Sequence, residues 1–415
     1  MQDKQPTYII GAGVSGLIAA YELEQAGYSP IIIERSDSVG GRVKTPIVKG
    51  YALDLGFQVL LSAYPLANKY LDMDKLDLVR LESGALIYAD NKSYRIGDPL
   101  RNLSVLLPTL TANIGSVADK LKILKLNRKL KNKSLEQIFD SPEKTTLDYL
   151  SDFGFSAKII QRFFKPFFAG IFLESDLRTS SRMFEFVYKM FGEGYATIPK
   201  LGIGAISIQL KSKLQRTKFL FNTEVEEVTK DHIHMSSGKK MDHSGVIIAT
   251  NAASLIPSTK KSDLEWKGCM CLYFEVDKTN IPDKTIALIS ESGNISNNMY
   301  AYKDQAKGKT ILSVTTLEQG KKSDKEIIEA VIQEVKKYTG ATEATYIHHY
   351  TINQSLPDIQ NLRMTADPSR TKVLDNVFLA GDYLLNGSLN AAMESGRIAA
   401  IGLIKDKKQM VPTIK

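Results

Sequence analysis

Four short, continuously apolar runs mark the chain, at residues 8–10, 31–33, 246–249 and 377–380, and each ends at a glycine or a polar residue. Runs of this length without polar alternation are typical of strands that are buried on both faces of a parallel sheet. Because the runs are far apart in sequence, the pattern predicts one buried sheet that is assembled from both ends of the chain and from its middle.

The first two runs are joined by a helix-forming segment, residues 16–23, which leads to Gly27, a residue type favoured just after a helix. Strand, glycine turn, helix and strand make one β-α-β unit, whose crossover is expected to be right-handed. Further helices are predicted at 205–214 and at 324–338, where Ile327, Ile328, Val331, Ile332 and Val335 share one face.

The middle of the chain has a different character. Segments 103–133 and 146–172 are rich in Leu, Phe and Lys and are predicted to be helical, whereas 266–315 is predicted to form strands. Short strands are also predicted around 219–221, 224–229 and 232–235. The sequence therefore predicts an α/β fold with a discontinuous Rossmann-like nucleotide-binding domain and an inserted α+β substrate domain. The nucleotide-binding domain takes residues 1–98, 200–262 and 350–415, and the substrate-binding domain takes 99–199 and 263–349.

The turn after the first strand carries the pattern G-x-G-x-x-G, with Gly11, Gly13 and Gly16. In a dinucleotide-binding unit the first glycine makes the tight turn, the second lets the main chain approach a pyrophosphate, and the third lets helix and strand pack closely. The helix N-terminus offers free N–H groups to the phosphates. Glu34 ends the second strand about 20 residues on, where a carboxylate binds ribose hydroxyls. The alternative is a glycine-rich turn without a ligand.

Two more glycine turns support a nucleotide. Gly40 and Gly41 precede Arg42, which supplies a countercharge to a pyrophosphate, although an ordinary loop with a solvated arginine is the alternative. Near the other end, the last apolar run leads to Gly381 and Asp382, where aspartate is also a good helix N-cap. Motifs at both ends favour one large nucleotide, flavin-adenine dinucleotide (FAD), over a nicotinamide cofactor alone.

These residues carry a family resemblance. Segment 34–42, E-R-S-D-S-V-G-G-R, resembles the signature of the flavin-containing amine oxidase superfamily, which includes protoporphyrinogen oxidases, plant-type phytoene and zeta-carotene desaturases, and monoamine oxidases. Segments 54–58 with 62–65, and 379–383 with 388–396, are similar to the plant-type desaturase branch. The match is mainly over 7–65 and 376–400.

The resemblance implies roles for matching positions. Asp382 would hold flavin ribityl or phosphate groups, the backbone at Leu389 and Asn390 would lie near the pyrimidine end of the ring, and the backbone of Val225 would lie against adenine. The positive potential of the helix end at Leu389 and Asn390 would stabilise the anionic reduced flavin. The full set of expected cofactor-binding residues is Gly11, Gly13, Val14, Ser15, Gly16, Glu34, Arg35, Gly40, Gly41, Arg42, Gly56, Phe57, Gln58, Val225, Gly381, Asp382, Leu389 and Asn390.

The sequence departs from its relatives in two places. Segment 386–394 has no counterpart of the aromatic pair that sandwiches amines in monoamine oxidases, and neither cysteine is near the C-terminal motif in sequence. FAD is therefore expected to bind non-covalently, and amine substrates are disfavoured. Because flavin itself accepts hydride, no catalytic side chain is required, and none is assigned. His348-His349 and His232-x-His234 are better explained as structural or solvated, and no metal site is predicted.

Composition limits the compartment and the partners. The chain has 415 residues, no long apolar run, no signal-peptide pattern at its start and two cysteines, which together predict a cytoplasmic protein. The net charge of +8 is concentrated in 120–133, so contact with anionic lipid at the inner face of a membrane is preferred to nucleic acid. A solvated helix face is the alternative.

The expected reaction is desaturation or oxidation of an apolar isoprenoid, carotenoid-like or porphyrinogen-like molecule by hydride transfer to FAD, with oxygen or quinone as electron acceptor. The aromatic segment 163–172 suits an apolar tunnel, although plain core packing explains it as well. One alternative is an amine oxidase, and another is a redox-neutral, flavin-dependent isomerase of the same fold. A lipid-binding scaffold is the third alternative, and the intact motifs argue against it. The choice of substrate rests on fold analogy, and the sequence does not determine substrate identity, acceptor or oligomeric state.

Overall fold

A computed structural model describes residues 6–97, 112–251, 255–256, 264–317 and 322–409. Its first lobe is built on a six-stranded sheet with the strand order β10-β2-β1-β14-β21-β20. These strands are β1 (Thr7–Ile10), β2 (Ile31–Ile33), β10 (Lys218–Leu220), β14 (Gly245–Ile248), β20 (Lys372–Leu374) and β21 (Val377–Leu379).

The four apolar runs lie side by side in this sheet. Tyr8 pairs with Ile31 on one side and with Val246 on the other, and Val246 pairs with Val377, all in parallel. Only the edge strand β20 is antiparallel to its neighbour β21. The predicted Rossmann-like α/β architecture is therefore confirmed, and the carboxyl ends of the parallel strands meet at one edge of the sheet.

The helices of the described residues are α1 (Val14–Gln25), α2 (Pro65–Tyr70), α3 (Val117–Lys131), α4 (Leu135–Phe139), α5 (Thr146–Asp152), α6 (Ala157–Ile159), α7 (Lys165–Phe172), α8 (Ser181–Glu193), α9 (Ala205–Ser212), α10 (Asp324–Thr339) and α11 (Leu389–Gln409). A π-helical turn, Ile160–Phe164, joins α6 to α7, and 3-10 turns occupy Pro368–Thr371 and Asp382–Leu384. The predicted helices at 205–214 and 324–338 are confirmed to within two residues. Of the predicted helix 103–133, the structure confirms Val117–Lys131. Residues 112–116 are described and are not helical, so the prediction is wrong there, and residues 103–111 lie outside the described residues.

Helices from the two ends of the chain pack directly on each other. A Cβ on Gly396 of α11 would lie 2.2 Å from the Ser15 carbonyl oxygen of α1, so only glycine permits this approach. Ser395 Oγ also donates a hydrogen bond to Ser15 Oγ (3.2 Å). This contact holds the N-terminal and C-terminal motifs against each other.

The second lobe is a seven-stranded sheet with the order β19-β15-β18-β17-β16-β7-β8. Its strands are β7 (Gly84–Ala89), β8 (Lys92–Gly97), β15 (Glu265–Val276), β16 (Ile286–Ile289), β17 (Ser296–Lys303), β18 (Thr310–Thr316) and β19 (Ala344–Asp358). Helix α10 covers one face of the sheet, where Ile327, Val331 and Val335 are buried against Leu272 and Val314. The opposite face is directed toward the first lobe.

The pairing of β7 and β8 differs from the predicted domain boundary at residue 98. Residues 84–97 belong to the predicted nucleotide-binding segment, but β7 pairs in parallel with β16 of the second lobe. Strand β19 likewise runs across the predicted boundary at 349/350. Strand pairing depends on residues that are far apart in sequence, so the local composition of β7 and β19 does not indicate the lobe to which each strand belongs.

Three small sheets complete the described strands: β3 (Ile47–Val48) with β4 (Tyr51–Ala52); β5 (Leu60–Leu61), β9 (Ala196–Pro199) and β6 (Leu78–Arg80); and β11 (Val225–Val228), β12 (His232–Met235) and β13 (Lys240–Asp242). Among the described helices, none is long and apolar enough to cross a membrane.

Candidate cofactor and substrate site

A cavity of about 1440 Å³ lies between the two lobes. Its wall in the first lobe is formed by the turns that follow β1, β2 and β21. Its remaining wall is formed by α7, α8 and the facing side of the seven-stranded sheet. Ligands of open parallel sheets bind outside the carboxyl ends of the strands, which is where this cavity lies.

The first glycine turn has the geometry that close approach of a phosphate requires. Gly11 has φ +102°, and a Cβ there would lie 2.9 Å from the Ala249 carbonyl oxygen. A Cβ on Gly16 would lie 2.0 Å from the Gly11 carbonyl oxygen, so Gly16 allows α1 to pack on the turn. A Cβ on Gly13 would meet nothing within 4 Å. Gly13 therefore borders open space, at the N-terminus of α1.

Glu34 is fixed beside this turn. Its Oε2 accepts a hydrogen bond from the Ala12 N–H (2.8 Å), and its Oε1 accepts from the N–H and hydroxyl of Ser36 (both 2.9 Å). A carboxylate oxygen accepts more than one hydrogen bond, so these contacts orient the group and leave acceptor capacity for ribose hydroxyls.

The second glycine turn forms a continuous floor with the first. Gly40 donates its N–H to the Ala12 carbonyl (2.9 Å) and forms a bridge with Gly13. Gly41 has φ +57°, and a Cβ there would lie 3.3 Å from Gly13 Cα. The main chains of the two glycine turns therefore contact each other with no side chain between them. Together they form a flat main-chain surface, the floor, of the kind that a pyrophosphate can approach closely.

Arg42 and Asp382 form an ion pair that joins the two ends of the chain. Arg42 also donates from Nη1 to the Ser355 carbonyl (2.9 Å), and its guanidinium lies 5.3 Å from the centre of the Trp266 ring. Asp382 is only 5% exposed. The sequence motifs indicate separate roles for these two residues and give no sign of their contact.

The C-terminal motif differs in one respect from its sequence interpretation. Asp382 begins a short 3-10 turn rather than capping a long helix, and α11 begins seven residues later, at Leu389. Ser388 provides the cap instead, since its hydroxyl accepts from the Ala391 N–H (3.0 Å). The N-cap alternative for Asp382 is therefore wrong, and the carboxylate is left to Arg42 and the cavity.

The segment after Asp54 borders the same cavity. Gly56 has φ +87°, and Gln58 donates from Nε2 to the carbonyls of Arg42 (2.8 Å) and Leu55 (3.0 Å), so the loop is tied to the second glycine turn. The ring of Phe57 lies 5.4 Å from that of Tyr300 in the second lobe.

Most of the expected cofactor-binding residues come together at this wall. Those that line the cavity are Gly11, Gly13, Val14, Ser15, Glu34, Arg35, Gly40, Gly41, Arg42, Gly56, Phe57, Gln58, Gly381, Asp382 and Leu389. Their contact with a cofactor stays a prediction.

Gly16, Val225 and Asn390 do not line the cavity. Gly16 serves helix packing, and Asn390, 1% exposed, accepts from the Leu66 N–H (3.1 Å) and so positions the start of α11. Val225 starts β11 with its side chain buried in a separate apolar cluster. Its predicted backbone contact with adenine stays a prediction.

The arrangement fits FAD. An extended groove has an acid at the end of β2, a main-chain floor at the glycine turns, and a helix N-terminus at α11. Negative charge on phosphates is favoured at helix N-termini, where N–H groups are free. The open space at Gly13 is the feature that a ligand-free glycine turn would not need.

Two cavity residues had little or no signal in the sequence. Trp266, the only tryptophan of the chain, stacks on Arg42, and its rarity was the one available clue. The Lys267 side chain is 11% exposed and forms ion pairs with Glu174 (3.3 Å) and Asp358 (3.4 Å). A lysine inside a predicted strand gives no local sign that its partners lie in other elements.

Cys269 lies in the cavity wall, with its Sγ 3.3 Å from Ser355 Oγ. Although Cys269 is far from the C-terminal motif in sequence, it lies in the wall of the same cavity. Burial raises the pKa of the Cys269 thiol, which disfavours the thiolate that bond formation with a cofactor would need. The expectation of a non-covalent cofactor is kept.

The histidines considered above lie away from this wall. His349 contacts Tyr346 Oη (2.6 Å) and Asp324 (3.2 Å), and His232 contacts Asp242 (2.8 Å). Within the described chain, no group of three or more His, Cys, Asp or Glu residues is arranged to hold a metal ion.

Asp54 is a half-buried residue whose carboxyl lies next to the Gly56–Gln58 loop. Desolvation raises the pKa of its carboxyl to about 6, although hydrogen bonds from Thr45 Oγ1 (2.5 Å) and the Ile203 N–H (3.0 Å) act in the opposite direction. The folded protein therefore binds this proton more tightly than the unfolded chain, and this carboxyl lowers the free energy of unfolding as pH rises from about 4 to about 6.

Asp54→Asn is expected to remove that pH-dependent loss, because the amide keeps an acceptor oxygen for Thr45 and Ile203. Urea unfolding should give a variant about 1–3 kcal/mol more stable than the parent at pH 8 and equal to it near pH 4. Exposed Asp375→Asn is the matched control, with no such change. The same difference at both pH values would contradict a raised pKa of the Asp54 carboxyl in the folded protein.

Comparisons with known proteins agree with this geometry. A family model described as "Flavin containing amine oxidoreductase" matches residues 14–404. Protoporphyrinogen oxidase 2 of Arabidopsis thaliana is 25% identical over 300 residues, which are 70% of this chain and 51% of that protein. A mitochondrial protoporphyrinogen oxidase of Nicotiana tabacum is 30% identical over 164 residues, 39% of this chain and 31% of that protein. The chain thus spans about half, or less, of the length of these relatives.

Solved structures share the fold over nearly the whole chain. An oxidoreductase from Methanosarcina mazei has a TM-score of 0.71 at 16% identity, covering 96% of this chain and 100% of that one. Cyclohexylamine oxidase from Brevibacterium oxydans IH-35A has a TM-score of 0.70 at 15% identity, covering 98% of this chain and 100% of that one. Identities this low establish the architecture alone.

Proposed function

The chain belongs to the flavin containing amine oxidoreductase family, with FAD as its cofactor, and on that premise we propose that it oxidises or desaturates an apolar molecule by hydride transfer to the flavin. The bound flavin supplies the hydride acceptor, and the protein binds and orients the substrate against it. Oxygen or a quinone is the proposed electron acceptor. The residues of the glycine floor, Glu34, Arg42 and Asp382 are the proposed cofactor contacts.

The observation that carries this proposal is the apolar wall beyond the cofactor motifs. Side chains of α7, α8 and the facing sheet line this part of the cavity: Phe167, Ile171, Phe172, Met183, Val187, Phe191, Ile286 and Leu288. An apolar substrate gains free energy by leaving water for such a wall, at roughly 25 cal/mol per Å² of apolar surface. A charged amine would lose its hydration there.

The aromatic segment 163–172 serves both uses considered for it. Phe164 and Phe168 are fully buried in the core, whereas Phe167 and Ile171, one helical turn apart, line the cavity. The core face fixes α7 in place, and its neighbouring face is offered to the substrate. The tunnel interpretation is therefore kept for one face only.

The direct test is anaerobic reduction of the flavin by candidate substrates. A porphyrinogen, a carotenoid precursor with unconjugated double bonds, an L-amino acid and a primary amine would each be mixed with the holoenzyme, and the flavin absorbance followed. Bleaching by an apolar compound is expected. Bleaching by the amine or amino acid alone would favour the amine oxidase alternative. Double-bond isomerisation that requires reduced flavin, with no net bleaching, would favour a redox-neutral enzyme.

Ile171→Asp should raise KM for the apolar substrate at least tenfold with flavin content unchanged, because it places a carboxylate in the apolar wall. Ile208→Asp is the matched control, since Ile208 is 66% exposed and outside the cavity. Steady-state kinetics on both variants check the prediction. An unchanged KM in Ile171→Asp would remove this wall from the substrate site.

We also propose that α3 contacts an anionic membrane surface. Val117, Leu121 and Leu124 are 73%, 63% and 54% exposed and follow one another at helical spacing, and Lys125 and Arg128 are exposed nearby. An exposed apolar stripe flanked by basic residues is typical of helices that lie in the interface of a bilayer. The apolar segment 103–110, considered with this helix, lies outside the described residues.

Not all of the basic stretch is available for lipid. Lys129 (3.3 Å) and Lys133 pair with Glu185 of α8, whose side chain is 3% exposed, and Lys122 donates to the Gly154 carbonyl. These lysines hold α3 on the protein. Substitution of Lys122 or Lys129 would therefore disturb packing as well as charge.

Leu121→Ser with Leu124→Ser should weaken cosedimentation with phosphatidylserine vesicles several-fold and leave flavin content unchanged. The control pair is Leu201→Ser with Ile208→Ser, which removes equally exposed leucine and isoleucine side chains from outside α3. Equal vesicle binding by both pairs would leave α3 as solvated surface.

A further inference from the structure

Three buried polar side chains interrupt the apolar part of the cavity wall. Asn297, Asn298 and Thr315 are 8%, 5% and 4% exposed, and all three line the cavity beside Ile286 and Leu288. They lie on the facing side of the seven-stranded sheet, on β17 and β18. Polar groups at such depth need hydrogen-bond partners.

A β-bulge brings both asparagines to this wall. The register of β17 with β18 shifts between the pairs Ser296–Thr316 and Asn298–Thr315, so Asn297 is an extra residue in β17. Neighbouring residues of a regular strand point to opposite faces, but here Asn297 and Asn298 both line the cavity. Bulges beside functional sites commonly redirect side chains in this way.

Helix α7 is shaped to leave room for the pair. A Cβ on Gly170 would lie 2.6 Å from Asn297 Nδ2 and 3.2 Å from Asn298 Oδ1. Any larger residue at this helical position would displace the amides, although glycine itself weakens a helix. Gly170 therefore makes room for the two asparagine amides at some cost in the stability of α7.

The hydrogen bonds present fix how the amides are turned. Asn297 donates from Nδ2 to the Pro166 carbonyl (3.3 Å) and to Asn298 Oδ1 (3.2 Å), which leaves the Asn298 Nδ2 donors on the other side. Among the described residues, Asn298 Nδ2 has no acceptor, and the buried Thr315 Oγ1 has no hydrogen-bond partner. Two uncharged donor groups at an apolar wall are thus without a protein acceptor in this part of the chain.

We propose that Asn298 and Thr315 bind an uncharged oxygen of the substrate, such as a ketone, ester or alcohol oxygen. A carboxylate is disfavoured, because neutral donors do not offset the cost of burying its charge. The inference rests on the proposed function and names the substrate class: an apolar molecule that carries a neutral oxygen group, which the two donors hold in a fixed position along the cavity.

The experiment titrates the holoenzyme with a matched pair of probes, farnesylacetone and the hydrocarbon in which a methylene replaces its carbonyl. Binding is followed by the perturbation of the flavin absorbance bands. The ketone is expected to bind about tenfold more tightly. In Asn298→Leu with Thr315→Val the ketone Kd should rise about tenfold, whereas the hydrocarbon Kd and the flavin content stay unchanged.

Two single variants keep the test decisive if the double variant does not fold. Thr315→Val preserves the side-chain shape and should lose part of the ketone preference, and Thr315→Ser keeps the hydroxyl and should retain it. Equal Kd values for the two probes in the parent protein would overturn the polar anchor and leave the proposed function standing. Failure of both probes to bind a flavin-loaded protein would overturn both proposals.

Discussion

Gly13→Val is expected to give a folded protein that has lost its flavin. A Cβ on Gly13 meets no atom within 4 Å, and φ there is −72°, a value that any residue adopts, so the fold tolerates a side chain. The same side chain would fill the space next to the Gly40–Gly41 turn where a pyrophosphate would lie. We expect FAD affinity to fall at least a hundredfold, because the main chain no longer contacts the phosphates.

The other glycines of the motif provide the contrast. Gly16→Val should prevent folding, since a Cβ would lie 2.0 Å from the Gly11 carbonyl oxygen. Gly192→Ala, in α8, should leave flavin content unchanged without lowering thermal stability, because a Cβ there meets no atom within 4 Å and alanine favours a helix. Flavin content and thermal unfolding of the three proteins check the prediction. A yellow Gly13→Val protein with the parent's flavin occupancy would mean that phosphates do not lie on this turn.

Asp382→Ala is expected to lower FAD affinity by about 10- to 100-fold. The family resemblance assigns this carboxylate to flavin ribityl or phosphate groups, and hydrogen bonds to charged groups contribute about 1.5–3 kcal/mol each. The change also frees Arg42, whose side chain is 39% exposed and so remains hydrated. The fold should therefore survive.

Asp375→Ala is the control for Asp382→Ala, since Asp375 lies outside the cavity and its side chain is 76% exposed. FAD titration of the apoproteins measures affinity, and thermal unfolding without FAD measures the structural cost of losing the ion pair. If Asp382→Ala lowers apoprotein stability but leaves FAD affinity unchanged, the residue joins the ends of the chain and does not bind the cofactor.

The glycine turns that line the first-lobe wall of the cavity could be predicted, because their signals are local. Strand, turn, helix and acid follow one another between Thr7 and Glu34, so the whole pattern stands in one short segment. The positive φ of Gly11 and the close packing at Gly16 are properties of single positions that only glycine satisfies. Such constraints leave a readable pattern in sequence.

The contacts that join distant segments could not be predicted, because no local pattern in the sequence marks them. The contact of Arg42 with Asp382 spans 340 positions, and the bulge at Asn297 is defined only by pairing with β18. Pairing of β7 with β16 also moves residues 84–89 into a lobe that their composition does not indicate. In the same way, only the structure separates the lysines of the 120–133 stretch that pair with Glu185 from those that face solvent.

The most direct test of the account is the absorbance spectrum of the purified protein before and after acid precipitation. We expect flavin bands in the native protein that pass completely into the supernatant, because the proposed contacts with FAD are non-covalent. Flavin that stays with the precipitate would contradict non-covalent binding. A colourless protein that FAD does not reconstitute would contradict the central claim that this cavity binds FAD.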